Sequence, residues 1–425
     1  MKEDIFREYT AILKEELKPA MGCTEPIAVA WCACLAAEQL GQKPETVKVT
    51  ASPNIIKNVK SVIVPNTDGL KGIAAAAAAG IIAADPKAEL EVLARLTDEK
   101  KQEIRDYLEE ASFTTERSEN HWVFHVKAEV SADGHTAMAE LAGHHTNLIR
   151  LEKDGETVFE KPYQEKGDSY ATDRSLLKVE DIVAYAEETS LDEVKELLQR
   201  QIDCNMAIVQ AGLHHNYGAN IGKILLRAYG STPANRAKAY AAAGSDARMN
   251  GCELPVIINS GSGNQGITVS VPVIVYAREM GTDQETLYRA LLVANLVAIH
   301  LKTGIGSLSA YCGATSAAAG AGAGICWLHG GRYYEIAHTV VNAVAINSGM
   351  ICDGAKASCA AKIASAVEAG LLGYQMQRNR EQFYGGEGIV TKGVENTIAN
   401  IGRLARDGMA ETDRTIIEIM TKTGC

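Results

Sequence analysis

The chain has 425 residues, of which 46% are hydrophobic and 22% are charged, so two or three globular domains are expected. Its formal net charge of −11 argues against a nucleic-acid partner and against an anionic membrane surface, because both require a concentrated basic face. We therefore expect a small-molecule partner, no nucleic acid and no membrane.

The predicted location of the protein follows from its first residues, Met1-Lys2-Glu3-Asp4, which have no apolar stretch behind a basic start. No signal peptide is predicted, and we expect a cytoplasmic protein whose ten cysteines stay reduced. The sequence contains no C-x-x-C pair, which removes the strongest sequence signs of zinc and ferredoxin-type sites. Four of the cysteines are expected to be small buried hydrophobic residues: Cys32, Cys34, Cys204 and Cys326.

The first part of the chain mixes predicted helices with predicted strands. An amphipathic helix ends at Pro19, and a second helix is predicted with Thr24 as its N-cap and Gly41 as its C-terminal cap. Further helices are expected over residues 70–84 and 87–111. Strands are expected over residues 46–51, 59–64, 122–130, 136–141, 147–151 and 157–159. These elements predict an α+β N-terminal domain, residues 1–175.

The second part of the chain is mostly helical in its periodicity, and Ser190 is predicted to be the N-cap of a helix that runs through Leu198. Three segments rich in Ala and Gly, residues 234–243, 309–328 and 355–372, allow helix backbones to approach closely. We therefore predict a mostly all-α helical C-terminal domain over residues 176–425 and a boundary near residue 175.

A glycine-rich segment, residues 261–266, matches the pattern G-x-G-x-x-G. In a dinucleotide-binding fold this pattern links a strand to an amphipathic helix. The residues that follow, 267–272, are largely β-branched and end at Pro272, which is a poor start for such a helix. We predict instead a flexible, amide-rich loop that accepts an anion.

Paired histidines occur at residues 144–145 and 214–215, with His135 close by in sequence. Adjacent side chains point to different faces of a strand or helix, so the pairing does not imply a shared metal. Most such histidines are surface residues or satisfied core residues. A histidine in the first domain can nevertheless serve as a general base, because imidazole titrates near physiological pH.

Several cysteines lie in segments that suit a metal ligand or a nucleophile. Cys23 precedes a predicted helix, whose dipole and free amides favour the thiolate; the alternative is an inert residue beside the N-cap. Cys312 and Cys352 are surrounded by glycines, which permit close approach to a bulky group. Cys359 follows Cys352 by two helical turns. Spacing alone does not establish a cluster.

Taken in order, these segments resemble the L-cysteine desulfidase family, relatives of the bacterial iron–sulfur L-serine dehydratases. The matching segments span nearly the whole chain: residues 21–26, 52–54 with 64–65, 145–147, 263–266, and the segments around Cys312 and Cys352. Each segment alone is weak, but their combination in this order is specific.

The resemblance implies a [4Fe–4S] cluster that is held by Cys23, Cys312 and Cys352, with one iron open for substrate. It also implies that residues 1–175 form the substrate-binding domain and residues 176–425 the iron–sulfur cluster domain. Serine dehydratases instead have a Ser/His-rich loop where this chain has Gly22-Cys23-Thr24, and their third ligand follows the Cys-Asp motif. Here Cys23 is present, and Cys359 lies closer to Cys352 than the corresponding dehydratase cysteine would. Both departures favour the desulfidase and leave Cys359 as a substitute ligand.

The implied reaction is β-elimination of L-cysteine to pyruvate, ammonia and hydrogen sulfide. An open iron would make the substrate sulfur a better leaving group while a base removes the Cα proton. The candidate bases are His145 and Lys223, and Glu25 is the candidate partner of the substrate ammonium. The candidate carboxylate-binding amides are Asn54, Asn58, Asn264 and Gln265.

Two features at the level of the whole protein are also predicted. We expect a homodimer. The last residue, Cys425, is a tail thiol that would compete with substrate for the open iron; a functionless, frayed terminus is the alternative.

Three other functions remain open at this point. The chain would turn over L-serine if it were an L-serine dehydratase with the same cluster. It would be yellow and indifferent to oxygen if it were a pyridoxal-phosphate lyase with Lys223, Lys302 or Lys356 as the Schiff base. A non-catalytic iron–sulfur ligand-binding protein would bind an amino acid without turnover.

Overall fold

The computed structural model describes residues 2–120, 122–164, 170–306 and 308–422, so Cys425 and its predicted role lie outside the described residues. The helices are α1 (Lys2–Glu16), α2 (Thr24–Leu40), α3 (Pro53–Val59), α4 (Gly72–Ala83), α5 (Asp98–Glu110), α6 (Val179–Glu188), α7 (Lys195–His214), α8 (Ile221–Tyr229), α9 (Pro233–Met249), α10 (Gly263–Met280), α11 (Gln284–Ile305), α12 (Gly313–Leu328), α13 (Tyr333–Ile346), α14 (Cys359–Arg378), α15 (Val394–Arg403) and α16 (Ala410–Lys422). The strands are β1 (Pro19–Met21), β2 (Thr46–Ala51), β3 (Ser112–Arg117), β4 (His125–Ala132), β5 (His135–Ala142), β6 (Leu148–Lys153), β7 (Glu156–Glu160) and β8 (Pro255–Ile257).

The first half of the chain is built on a six-stranded sheet with the order β3-β2-β4-β5-β6-β7. Strands β2 and β3 are parallel, and the remaining neighbours are antiparallel. Alternate residues of β2, Val47 and Val49, face a core that also contains α2 and the alanine-rich α4. The predicted α+β character of this half is confirmed.

The second half is a helical assembly around one continuous apolar core, as predicted. This core also includes Tyr9, Ile12 and Leu13 of α1. The first helix of the chain therefore packs with the helical second half rather than with the sheet. The domain boundary near residue 175 stays a prediction. Among the described helices, none combines the length and the apolar character needed to cross a membrane.

A two-stranded ribbon joins the halves: β1 pairs antiparallel with β8, with Pro19 opposite Ile257. The ribbon carries Cys23, which follows β1, toward the loop that follows β8. Gly22 has a φ of +57°, and a Cβ there would lie 2.1 Å from Pro65 Cγ, so both the turn and the contact with Pro65 require glycine. The resembling segments around Cys23 and Pro65 are therefore in direct contact.

Several sequence predictions of local structure were wrong. The helix predicted over residues 87–111 is limited to α5, which begins at Asp98, and a short 3-10 helix, Pro86–Glu91, precedes it. Residues 59–64 are not a strand: α3 runs to Val59, and the apolar side chains that follow are buried in a turn. β3 lies where no strand was predicted. Thr24 is the first residue of α2, and Cys23 is the N-cap. Ser190 caps no helix; its hydroxyl accepts from the amide of Asp192, and α7 begins only at residue 195.

The glycine-rich segment does not continue as a loop but begins helix α10, in which Pro272 lies inside. Most α10 side chains after Gly263 are buried in the helical core, and this packing overrides the low helix propensity of β-branched residues. Strand β8 precedes the segment, yet it has three residues, and among the described strands it pairs with β1 alone. The segment is thus outside the parallel βαβ unit to which the G-x-G-x-x-G pattern belongs in a dinucleotide-binding fold.

Glycines set the spacing of the helices that support the two later cysteine segments. A Cβ on Gly320 of α12 would lie 2.4 Å from the Ala294 carbonyl oxygen of α11. A Cβ on Gly370 of α14 would lie 2.3 Å from the Ala318 carbonyl oxygen of α12. Because Cys312 is the N-cap of α12 and Cys359 begins α14, this close packing also positions their thiols.

We expect Gly370→Ala to destabilise the protein, although alanine favours a helix over glycine by about 1 kcal/mol. The new methyl group would displace a backbone carbonyl, and overpacking of this kind costs about 1–3 kcal/mol or more. The melting temperature followed by circular dichroism should fall. The matched control is Ser365→Ala on the exposed face of the same helix, which should leave it unchanged or slightly raised; an equal response of both variants would contradict the argument.

Candidate iron–sulfur and substrate site

Four cysteines from distant parts of the chain line one cavity of about 120 Å³ between the two halves: Cys23, Cys312, Cys352 and Cys359. The sheet-containing half contributes Cys23, and the helical half contributes the other three. Cys23 is 4% exposed, and the described cysteines are all free thiols. Three thiols that the resemblance assigned to a cluster are thus brought together with the candidate substitute.

Four helices begin at this cavity, namely α2, α10, α12 and α14. Residues at their N-termini line it: Cys23 and Glu25; Ser262, Asn264 and Gln265; Cys312, Gly313 and Ala314; and Cys359. As far as the chain is described, none of the four has an N-cap side chain bonded to its free amides. Amides of this kind and the positive ends of the helix dipoles favour an anionic ligand.

Cys312 and Cys352 lie side by side because their segments pair as a short antiparallel bridge. The Cys312 amide donates to the Met350 carbonyl at 2.9 Å, and the Cys352 amide donates to the Ala310 carbonyl at 2.6 Å. The Cys312 thiol donates a hydrogen bond to Cys352. This bond lowers the pKa of Cys352 to about 6, and the nearby charges of Lys57 and Lys302 act in the same direction, whereas burial acts to raise it. The same contact raises the pKa of Cys312, so the pair shares one negative charge at neutral pH.

Cys23 is held by Glu25 at the start of α2. Its thiol donates to Glu25 Oε2 at 2.9 Å, and Asn58 Nδ2 donates to Glu25 Oε1 at 2.9 Å. Burial, and then the Glu25 charge, raise the pKa of Cys23 against the opposing effect of Arg248. This shift is opposite to the predicted preference for the thiolate, because burial and the Glu25 charge outweigh the helix dipole.

His145 faces a neighbouring cavity of about 380 Å³, which shares Glu25, Ser262, Gln265 and Leu308 with the cysteine cavity. Its ring contacts Phe124 edge-on at 4.8 Å between centroids, and its Nε2 is buried without a partner among the described residues. Burial lowers the pKa of His145 although the Glu25 charge opposes this. The neutral, proton-accepting imidazole is therefore the form at neutral pH.

Glu25 connects the two cavities and is ionised. Burial acts to raise its pKa, but His145, the Cys23 thiol and Arg248 together lower it. A carboxylate that stays charged in such a place suits an ammonium ligand. Of the amides predicted to bind substrate, Asn58, Asn264 and Gln265 line the cysteine cavity, whereas Asn54 lines a third cavity of about 630 Å³ that adjoins it at Leu308 and Ser309.

Lys223 is the predicted site residue that the structure does not bring to this region. It lies on α8, and its Nζ donates to Asn216 Oδ1 at 2.8 Å in an exposed pair. It is not among the described residues that line the cysteine cavity. We withdraw Lys223 as a candidate base, because a base must reach the proton it removes.

The cavity also contains four cations: Lys57, Arg248, Lys302 and Lys362. Of these, only Lys302 was named from the sequence, as a Schiff-base candidate. Lys57 pairs with Asp413 of α16 at 2.5 Å, Lys362 pairs with Asp353, and Lys302 donates to the Gly306 carbonyl. Basic residues at isolated positions carry no local signature, so only the fold reveals that they surround the thiols. Three thiolates that bind a cluster in a buried cavity require cations of this kind to compensate their negative charge.

The described side chains fit a cluster better than a single metal ion. Among them, no group of three Cys, His, Asp or Glu converges on one point at metal-binding distance. In an iron–sulfur cluster each thiolate binds a different iron, so the sulfurs surround the group instead of meeting at its centre. Cysteine donors in one cavity, lined by free helix amides and cations, match that requirement.

Comparison with known proteins identifies the family of the chain. Residues 87–418 match the family described as serine dehydratase alpha chain, a match that includes Cys312, Cys352 and Cys359 and begins after Cys23. A UPF0597 protein of Desulfitobacterium hafniense is 55% identical over 98% of this chain and 96% of its own length. A UPF0597 protein of Lachnoclostridium phytofermentans is 47% identical over 98% of this chain and 100% of its own length. A third, from Treponema denticola, is 44% identical over 98% of each chain.

The names of these relatives state no substrate, so the predicted preference for L-cysteine stays a prediction. The resemblance to the iron–sulfur serine dehydratases is confirmed at the level of the family. The family match covers well over half of the chain, and the protein therefore belongs to the serine dehydratase alpha chain family of iron–sulfur, dehydratase-like lyases.

Proposed function

We propose that the protein is a [4Fe–4S]-dependent L-cysteine desulfidase that converts L-cysteine and water to pyruvate, ammonia and hydrogen sulfide by β-elimination. The observation that carries this proposal is the position of Cys23, which shares one cavity with Cys312 and Cys352 although it comes from the other half of the chain. A cysteine at this position distinguishes the desulfidase resemblance from the dehydratase resemblance.

In this proposal Cys23, Cys312 and Cys352 hold the cluster, and Cys359 is the substitute ligand. When bound, the cluster supplies a Lewis-acidic iron that polarises the leaving group of the substrate. The residues around it bind and orient the amino acid. Glu25 receives the substrate ammonium, because it is the anion between the thiol cavity and His145.

His145 is the proposed general base that removes the Cα proton. Its unpartnered Nε2 and its lowered pKa make it a neutral acceptor, and the Glu25 carboxylate stabilises the imidazolium once the proton has arrived. The elimination then yields aminoacrylate, whose hydrolysis to pyruvate and ammonia needs no further residue of the protein.

The second candidate is L-serine dehydratase, which the description of the matching family favours. The two activities differ in the group that leaves from the β-carbon, a thiol or a hydroxyl group. Pyruvate and ammonia form in both, so only sulfide release or L-serine turnover separates them.

We expect the anaerobically purified protein to release sulfide and pyruvate in equal amounts from L-cysteine and to turn over L-serine much more slowly. The measurement is parallel sulfide, pyruvate and ammonia assays with each amino acid over a range of concentrations. Faster turnover of L-serine would replace the desulfidase with the dehydratase. Tight amino-acid binding without product would point to a ligand-binding protein.

Replacing any one of the three proposed ligands should remove most of the iron. The variants are Cys23→Ala, Cys312→Ala and Cys352→Ala, and the measurements are iron content and visible absorbance after anaerobic purification. Cys204→Ala is the control, because Cys204 is a half-buried cysteine on α7 and lies outside the described lining of the cavity. Full iron content in Cys23→Ala together with iron loss in Cys359→Ala would show that Cys359 is the third ligand.

We expect His145→Gln to lower kcat about 10²- to 10⁴-fold, which is the usual contribution of a general base. Because the pKa of His145 is lowered from its ordinary value, kcat/KM should hold at neutral pH and fall only below about pH 6.5 as the imidazole becomes protonated. His135→Gln, at an exposed hairpin position beside Asp154, is the control. An unchanged rate and acid limb in His145→Gln would remove His145 from the mechanism.

A further inference from the structure

Arg248 near the end of α9 directs its side chain into the cysteine cavity although it is only 3% exposed. Its guanidinium lies against the Cys23 thiol, and it interacts electrostatically with Glu25 and Cys359. Within the described parts of the chain it makes no ion pair within 4 Å, and its Nε has no hydrogen-bond partner. A buried cation without an acidic partner is costly unless a ligand completes it.

The other cations of the cavity already have partners. Lys57 and Lys362 are paired with Asp413 and Asp353, and Lys302 donates to a backbone carbonyl. Among the described cations of the cavity, Arg248 is the one without a carboxylate or carbonyl partner, and its Nε is unsatisfied. Its planar fork also matches the two oxygens of a carboxylate, which the point charge of a lysine does not.

The N-terminus of α10 is shaped around this guanidinium. A Cβ on Gly263 would lie 2.2 Å from Arg248 Nε and 2.7 Å from its Cζ, so only glycine leaves room for the side chain. The uncapped amides at the start of α10 and the guanidinium are thus held side by side and face the same cavity. The buried Asn264 Oδ1, which also has no described partner, adjoins them.

We propose that Arg248 and the first amides of α10 bind the α-carboxylate of the substrate, with Gly263 as the residue that positions the guanidinium. The inference rests on the proposed function for the class of its ligand, a small amino acid or thiol acid. This arrangement would also orient the ligand. With the carboxylate at α10 and the ammonium at Glu25, the side-chain sulfur is directed toward the cysteines.

The test compares two stable thiol ligands that differ in one group. The probe 3-mercaptopropionate has a carboxylate, and cysteamine has an ammonium group instead. Binding of each to the anaerobic, iron-containing protein is measured by calorimetry for wild type, Arg248→Met, Arg248→Lys and Gly263→Ala. Arg236→Met is the control on the same helix, since Arg236 pairs with Glu279 outside the described cavity lining.

In Arg248→Met, the affinity for 3-mercaptopropionate should fall about 10- to 100-fold, the expected loss of charge-assisted hydrogen bonds, while that for cysteamine stays within about threefold. Arg248→Lys should lie between wild type and Arg248→Met. Gly263→Ala should show the same selective loss without removing the charge, so the test does not depend on one variant folding. KM for L-cysteine should rise in parallel.

Three results would overturn the inference. One is equal weakening of both probes, and another is no weakening in any variant. The third is a combination of two results: Arg248→Met loses its iron, and Arg248→Lys and Gly263→Ala keep the carboxylate selectivity of wild type. Arg248 would then stabilise the Cys23 thiolate and would not bind the substrate carboxylate. If wild type produced no sulfide but still showed carboxylate binding that depends on Arg248, the desulfidase proposal would fail and this inference would stand.

Discussion

The structure depends on one arrangement: four helices begin at the same buried cavity, and in the described chain none of them is capped by its own N-cap side chain. Free amides away from water are unfavourable until an acceptor satisfies them. Helix dipoles add positive potential at the same point. The fold thus favours negative charge at this point, which thiolates and a substrate carboxylate can supply.

Two packing features maintain this arrangement. The β1–β8 ribbon brings Cys23 from the sheet-containing half to the start of α10, and glycine contacts hold α12 against α11 and α14 at backbone distance. Neither feature involves a cysteine that is proposed to bind the cluster. Backbone contacts in a close-packed interior change in discrete ways and deform little, so a substitution far from the thiols, such as one at Gly370, should be transmitted to them.

The sequence predicted more of the site than of the elements that carry it. The resemblance identified Cys23, Cys312 and Cys352 because their neighbouring glycines and polar residues form recognisable segments, and the structure places all three in one cavity. It could not identify Arg248, whose role depends on a contact with Gly263 that only the folded chain creates. Helix α10 was mispredicted for a related reason, since burial on nearly every side stabilises a helix that its β-branched residues and Pro272 disfavour.

The division into adjoining cavities explains how one small substrate can meet unlike chemical groups. The thiols lie in one cavity and His145 in the next, with Glu25, Ser262 and Gln265 on the wall between them. Under the proposed function, an amino acid with its ammonium at Glu25 would present its Cα hydrogen toward His145 and its β-substituent toward the cysteines. His145 suits the role of proton acceptor because burial lowers its pKa even though the adjacent Glu25 charge opposes this.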